Sequence, residues 1–290
     1  MVPARPLLHR SRRLPAESSG VLLEVTREQA GWPFIHFSVR QLAAGAVWSD
    51  ETGGDELCLV LLSGLVRVRW NGGAWRPLGP RPGVFDAYPH ALYLPAGTRV
   101  EVAAERRSEL ADCRAPSTAR LDPRLVPPEA CGFEIRGGGN ATRQIVDILP
   151  PAFPADRLMI CEVFTPGGNW SSFPPHKHDV EAPPSEADLD EIYYFRMRDP
   201  DGFAFQRLYT ADGTFDRTFT VGDGDLLLVH EGYHPFVTAF GHDAYYLNVL
   251  AGARRSMAAS DDPRYASLRR SWPPPDPRVP LVPPPSREGR

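Results

Sequence analysis

EIYYFRMRDPDGFAFQRLYTADGTFDRTFTVGDGDLLLVH, residues 191–230, reads as strands punctuated by turns. EIYYFRM (191–197), GFAFQRLYT (202–210) and DLLLVH (225–230) are short runs rich in aromatic and aliphatic residues. DPDG, DG and GDGD separate them, supplying the Asp and Gly that tight turns use. RLMICEVFT (157–165) and AYYLNVLAG (244–252) extend the texture over about 133–251, with a strand every 8–15 residues and no long helical period. This predicts an all-β sandwich or barrel.

A second strand-rich unit precedes it, from about residue 20 to 115. LCLVLLSGLVRVRW (57–70) reads as a strand, a Ser-Gly turn and a second strand alternating Val66 and Val68 with Arg67 and Arg69. HALYLPAGTRVEVAAE (90–105) repeats the pattern around Pro-Ala-Gly. YLPAGTRVEV and LVHEGYHPFV look like equivalent hairpins, so the chain reads as one module used twice. The expected division is an N-terminal half over 1–130, a C-terminal half over 131–272 and a Pro-rich tail over 273–290. Pro116–Pro128 reads as a linker or wrapping loop, and the tail as extended, either disordered or laid over a neighbour, and dispensable for chemistry.

Composition excludes several classes. The net charge of −4 over 290 residues provides no overall basic field, so no nucleic-acid partner is expected. No run approaches the roughly 18 apolar residues of a membrane span, so no membrane partner is expected either. Residues 1–20 lack the apolar stretch of a signal peptide, which points to a cytoplasmic N-terminus. The four cysteines form no CxxC pair and are expected to be free, largely buried thiols.

Histidine placement carries the chemistry. PPHKHD (174–179) sets His176 and His178 at i, i+2, on one face of a strand about 7 Å apart at Cβ. Two such imidazoles can reach one ion at about 2.0–2.2 Å. Lys177, the only lysine, then points away and makes a poor Schiff-base nucleophile. Glu191 opens the strand EIYYFRM and shares its parity with Tyr193 and Phe195, while His234 follows the turn in GYHP. Three histidines and a carboxylate suit Mn²⁺, Fe²⁺, Zn²⁺ or Ni²⁺ with positions open to substrate. The acidic stretch between Asp179 and Asp190 reads as a solvated loop, and His230 and His242 as non-ligands.

The order strand, HxH, Glu, strands, Gly-Asp turn, His, strand resembles the cupin motif pair, with DVEAPPSEADLD (179–190) lengthening the usual gap between the second His and the Glu. FTPGGNWSSFPPHKHD (164–179), EIYYFR (191–196), GYHP (232–235) and YYLNVLAG (245–252) are similar to the 5-deoxy-glucuronate isomerase family of myo-inositol catabolism. LVLLSGLVRV (59–68), HALYLPAG (90–97) and DPRYASLRRSW (262–272) carry the likeness over nearly the whole chain. The resemblance implies a bicupin, two jelly-roll-like cupin β-barrels in one chain, related to uronate ketol-isomerases. It implies His176, His178, Glu191 and His234 as ligands of one divalent transition metal (zinc, manganese or iron), and a first half without metal.

The reaction so implied is an aldose–ketose isomerisation of 5-deoxy-D-glucuronate to 5-dehydro-2-deoxy-D-gluconate through an enediolate. Glu191 and Tyr193 are the candidate catalytic groups, Tyr233 and His230 are further candidates for the proton-transfer base, and Tyr233 is expected beside the substrate. Arg207 is the candidate fork for the substrate carboxylate, and Arg196 the next. A homo-oligomer is expected. The competing readings are an iron-dependent bicupin dioxygenase and a non-catalytic sugar-acid-binding cupin.

Overall fold

The computed structural model describes residues 5–285; residues 1–4 of the N-terminal segment and 286–290 of the Pro-rich tail lie outside the described residues. Helix among the described residues is confined to one turn at Arg27–Ala30 and two short 3-10 segments, Pro128–Ala130 and Ala266–Ser271. Among the described residues no helix is long and apolar enough to cross a membrane.

The large sheet of the second half runs Leu8–Arg10, Asp225–Val229, Leu189–Met197, Ala244–Gly252, Met159–Thr165, Arg143–Leu149, Gly132–Arg136, with every neighbour antiparallel. Opposite it lies a three-stranded sheet, Asp216–Val221, Ala204–Tyr209 and Phe236–Thr238. Between them Tyr193, Phe195, Phe236 and Tyr246 form an aromatic core. The first half encloses its own core of Leu57, Leu59, Leu61, Val66, Val68, Leu92 and Val100. Residues of the opposite parity, among them Cys58, Val60, Leu62, Ile192, Tyr194, Leu226 and Leu228, meet in a third core where the two large sheets pack back to back. Both faces of these strands are buried, which is why they read as nearly continuous apolar runs.

Two local readings change. LCLVLLSGLVRVRW is not a hairpin but part of one 16-residue strand, Asp55–Trp70. Its front portion pairs with His90–Leu94 and Ser108–Pro116, its rear portion with Arg76–Arg81 and Arg99–Ala104. Register shifts flank Ser63-Gly64, where the strand bends from one sheet into the next. Gly64 has φ 104°, and a Cβ there would come within 2.2 Å of Ser108 Oγ. Likewise His90–Leu94 and Arg99–Ala104 pair not with each other but with opposite ends of Asp55–Trp70, and Asp225–Val229 and Phe236–Thr238 pair with different strands. The two supposed hairpins are corners between sheets, and they are corners in both halves.

Chain ends and linker are built in as well. Leu8–Arg10 borders the second half's sheet through Leu8↔Leu227 and Arg10↔Asp225. The stretch read as a linker supplies the strand Arg124–Val126. In the tail, Val282 is fully buried, and its backbone exchanges hydrogen bonds with the Gln144 amide at 2.7 and 3.1 Å. Asp276 accepts from Asn169 at 3.0 Å, and Arg278 donates to the Gly167 carbonyl at 2.9 Å. The tail therefore straps the loop that leads into His176, and is not a loose appendage.

Two buried carboxylates tie the halves together. Glu162 takes a bidentate pair from Arg81 at 2.7 and 2.8 Å, with neither side chain exposed, and a third bond from Tyr245 at 2.9 Å. Glu56 accepts the backbone N–H groups of Asp156, Arg157 and Leu158, each at 2.7 Å.

Removing one partner of the Arg81–Glu162 pair strands a charge in the core. Arg81→Met is expected to cost about 3–5 kcal/mol in urea unfolding, with Arg81→Met/Glu162→Leu recovering part of it. Truncation after Trp272 removes a buried valine worth roughly 1.5–3 kcal/mol and leaves the Gln144 amide with only a long contact to the Tyr88 hydroxyl, at 3.5 Å. A thermal melt of that variant should fall by several degrees; an unchanged melting temperature would show that the tail does not contribute to the core.

Candidate metal centre

Four side chains reach one point from three parts of the second half. His176 lies in the two-residue strand His176–Lys177, paired with Ser260–Asp261. His178 follows it, and its carbonyl accepts from Leu189 at 3.1 Å, which draws it to the start of the Glu191 strand. His234 is placed by a turn at Gly232. That glycine has φ 82°, and a Cβ there would lie 2.5 Å from the Tyr209 carbonyl. The Gly232 N–H donates to Asp179 at 2.7 Å, and its carbonyl accepts from His234 Nδ1 at 3.0 Å.

The donor atoms are crowded. Glu191 Oε2 lies 2.8 Å from His178 Nε2 and 3.2 Å from His234 Nε2, and the latter is 3.2 Å from His176 Nε2. Ligands held at about 2.1 Å from one ion stand roughly 3.0–3.4 Å apart, which the two 3.2 Å separations match, while the 2.8 Å contact is a direct hydrogen bond that an ion would open slightly. The ligand atoms of the three histidines all lie within 4.8 Å of one another. Outer partners fix the orientation. Ser172 Oγ is 2.6 Å from His176 Nδ1, and Asn248 Nδ2 donates to Glu191 Oε1 at 2.7 Å, leaving Oε2 toward the histidines. The donor set fits a divalent transition ion.

Electrostatics prepare the same set. Burial, then the neighbouring His234 and His178, hold His176 well below the usual histidine range. Burial also lowers His234, outweighing the nearby Glu191. For His178 burial opposes the charge, but Glu191 beside it wins and the pKa is raised. Glu191 resists its own burial through His178 and His234 and is drawn down to about 2. At neutral pH the site therefore has an ionised carboxylate and two uncharged imidazole rings, each with one nitrogen free to bind an ion.

The cluster opens into a cavity of about 430 Å³. Tyr193, Tyr246 and Asn248 line it, with Ile145, Val163, Leu189 and Leu250 as apolar wall. Tyr193 thus sits where its parity with Glu191 puts it. Tyr233 does not line the cavity; its ring packs 5.2 Å from that of Tyr209. Arg207 is also elsewhere. On its strand Ala204 and Leu208 face the aromatic core, so Arg207 takes the outer parity, 44% exposed and paired with Asp216 at 2.6 Å. Arg196 faces the first half, bonded to Glu109 and Asp223. His230 packs 4.8 Å from the Trp32 ring, Lys177 is held by Asp179 and Glu186, and His242 pairs with Asp199 at 3.5 Å. The acidic loop is not wholly solvated: Glu186 is buried, accepting from Lys177 and from the N–H groups of Asp179 and Val180.

Three arginines that were not singled out, Arg136, Arg143 and Arg269, do line the cavity, together with Asp147. The signal was present in RQIVDIL (143–149), where Arg143, Ile145 and Asp147 alternate with Gln144, Val146 and Ile148. Asn248 was likewise legible as the one amide in an otherwise apolar run, AYYLNVLAG.

Residues 7–268 match the KduI/IolB family. A 5-deoxy-glucuronate isomerase of Geobacillus kaustophilus is 44% identical over 245 residues, 84% of this chain and 89% of the relative. That of Bacillus subtilis strain 168 is 37% identical over 252 residues, 86% of this chain and 93% of the relative. Among solved structures, an IolB-like protein from Salmonella typhimurium LT2 superposes with a TM-score of 0.86 at 36% identity, covering 91% of this chain and 99% of that one. Oxalate decarboxylase of Bacillus subtilis superposes with a TM-score of 0.61 at 12% identity, covering 90% of this chain and 80% of that one, a likeness of fold alone. The fold is a bicupin.

Protein stripped of metal and titrated with Mn²⁺, Zn²⁺ or Fe²⁺ is expected to bind one ion per chain and to melt higher, by about 2.7 kcal/mol at a hundredfold excess over Kd. Binding weakens as pH falls from 7.5 to 5.5, because the ion must displace the proton that Glu191 favours on His178 and keep the other rings neutral. His176→Ala and Glu191→Gln should abolish the shift. An unchanged shift in either variant would exclude that residue from the ligand set.

Proposed function

Because the chain belongs to the KduI/IolB family, we propose that it is an aldose–ketose isomerase that converts 5-deoxy-D-glucuronate to 5-dehydro-2-deoxy-D-gluconate, a step of myo-inositol breakdown. The observation that carries this reading is the extended likeness to relatives named 5-deoxy-glucuronate isomerase, 44% identical over 84% of this chain in one case. The convergence of His176, His178, Glu191 and His234 on a cavity of sugar-acid size supports it.

The reaction is internally balanced. C1 is reduced from aldehyde to hydroxymethyl, C2 is oxidised from hydroxyl to ketone, and one hydrogen passes from C2 to C1 while the hydroxyl proton changes oxygen. A divalent transition ion held by His176, His178, Glu191 and His234 would supply Lewis-acid polarisation of the carbonyl. The chain's own groups do the rest. His178 and His234 keep the Glu191 carboxylate ionised against its burial, and Asn248 pins one of its oxygens and so orients it. Burial, reinforced by the charge of Glu191, pushes the Tyr193 phenol well above its ordinary range. Tyr193 therefore keeps its proton and donates a hydrogen bond to the substrate oxygen where negative charge develops. The apolar wall of Ile145, Val163, Leu189 and Leu250 limits the water that could exchange with the enediol.

Incubation with 5-deoxy-D-glucuronate under nitrogen, followed by proton NMR, should show loss of the aldehyde proton and growth of the hydroxymethyl signal. Tyr193→Phe is expected to lower kcat by about 10²-fold with little change in KM. Conversion that requires oxygen would replace this reading with a dioxygenase, and binding without conversion would replace it with a non-catalytic cupin.

A further inference from the structure

Three guanidinium groups border the cavity, and they are not equivalent. Arg136 lies at the exposed rim and is clamped to Glu134 by two bonds, at 2.9 and 2.6 Å. Arg269 is paired with Asp261, the strand partner of His176. Arg143 is only 4% exposed, and among the described residues no carboxylate forms an ion pair with it. Among the same residues the one hydrogen bond of its side chain, to the Ala141 carbonyl two residues away, is long at 3.4 Å. Arg143 shares its strand face with Ile145 and Asp147, the face that lines the cavity.

A buried cation without a counter-charge is costly, and protein interiors tolerate one when something else neutralises it. We propose that the missing partner is the ligand, and that Arg143 binds the carboxylate of an acyclic sugar acid whose other end lies at the histidine cluster. The identity of that acid rests on the isomerase reading, whereas the need for an anion rests on the cavity alone. The fork of Arg143 offers two parallel N–H donors to a single carboxylate, and the neighbouring arginines are already engaged by acids of their own. Burial lowers the pKa of Arg143 to about 10, which leaves it protonated at neutral pH and able to hold an anion. Arg207, paired on the outer face, cannot serve this end of the substrate.

The test compares charged and uncharged ligands of one shape. Wild-type protein and Arg143→Ala, Arg143→Met and Arg143→Lys are assayed with 5-deoxy-D-glucuronate and with 5-deoxy-D-glucose, which carries a hydroxymethyl group in place of the carboxylate. Binding of D-glucuronate and D-glucose to each metal-loaded protein is measured by calorimetry, and melting temperatures report folding. Arg143→Ala and Arg143→Met should lose on the order of 100-fold in kcat/KM on the uronate, and a similar factor in D-glucuronate affinity. Neither should change on the neutral sugars, and Arg143→Lys should recover part of the loss. Equal loss on charged and neutral ligands, or no loss at all, overturns the proposal while leaving the isomerase reading intact. If the wild type does not convert the uronate but binds D-glucuronate through Arg143, the isomerase reading fails and this one stands.

Discussion

The strand Leu189–Met197 has no free face, and the site depends on that. Its even-numbered residues Ile192 and Tyr194 are committed to the core between the two barrels, so Glu191, Tyr193 and Phe195 must point inward. A slip of one residue would exchange the two sets and drive the carboxylate of Glu191 into an apolar layer. The pairing with Ala244–Gly252, continuous over nine residues, holds that register, and Asn248 opposite Tyr193 completes the hold on Glu191. The two barrels do not merely share a chain: the sheet of one is the wall against which the other's Leu189–Met197 strand is set.

Buried charge is handled in two ways. Glu162 and Arg81 close on each other at the junction, with Tyr245 and the Leu61 carbonyl satisfying further lone pairs and protons. Such a pair fixes how two surfaces meet and is silent toward ligands. Around the cavity the protein's own groups do not saturate one another: four donor atoms converge on one point, and among the described residues no carboxylate pairs with Arg143. The same chemistry serves structure where it is saturated and recognition where it is not.

Much of the site was legible because it is governed by period two. His176 and His178 share a face by spacing alone, and Glu191 shares parity with Tyr193 on one strand. His234 was marked by a glycine turn whose necessity the Tyr209 carbonyl now explains. What remained hidden is decided by partners distant in the chain. Nothing local in LCLVLLSGLVRVRW tells that Ser63-Gly64 bends one strand between two sheets, since both a turn and a bulge ask for glycine there. Arg207 and Arg143 each lie on an alternating strand; only the sheet packing reveals which parity faces the cavity, and only the fold reveals that Asp216 already occupies one of them. The tail's prolines argued against regular structure, correctly, but an irregular segment can still seal a core with one valine.

The short strand Leu8–Arg10 carries a consequence for how the molecule can be divided. It covers the open edge of Asp225–Val229, the neighbour of the Glu191 strand, although more than two hundred residues separate the two. A fragment beginning near residue 131 would contain every proposed metal ligand and still present that edge bare, a row of unpaired N–H and C=O groups on the hydrophobic segment DLLLV. Such an edge is a template for pairing with a second chain. The second barrel taken alone would lack that cover, which in the whole protein the strand Leu8–Arg10 supplies from the far end of the chain.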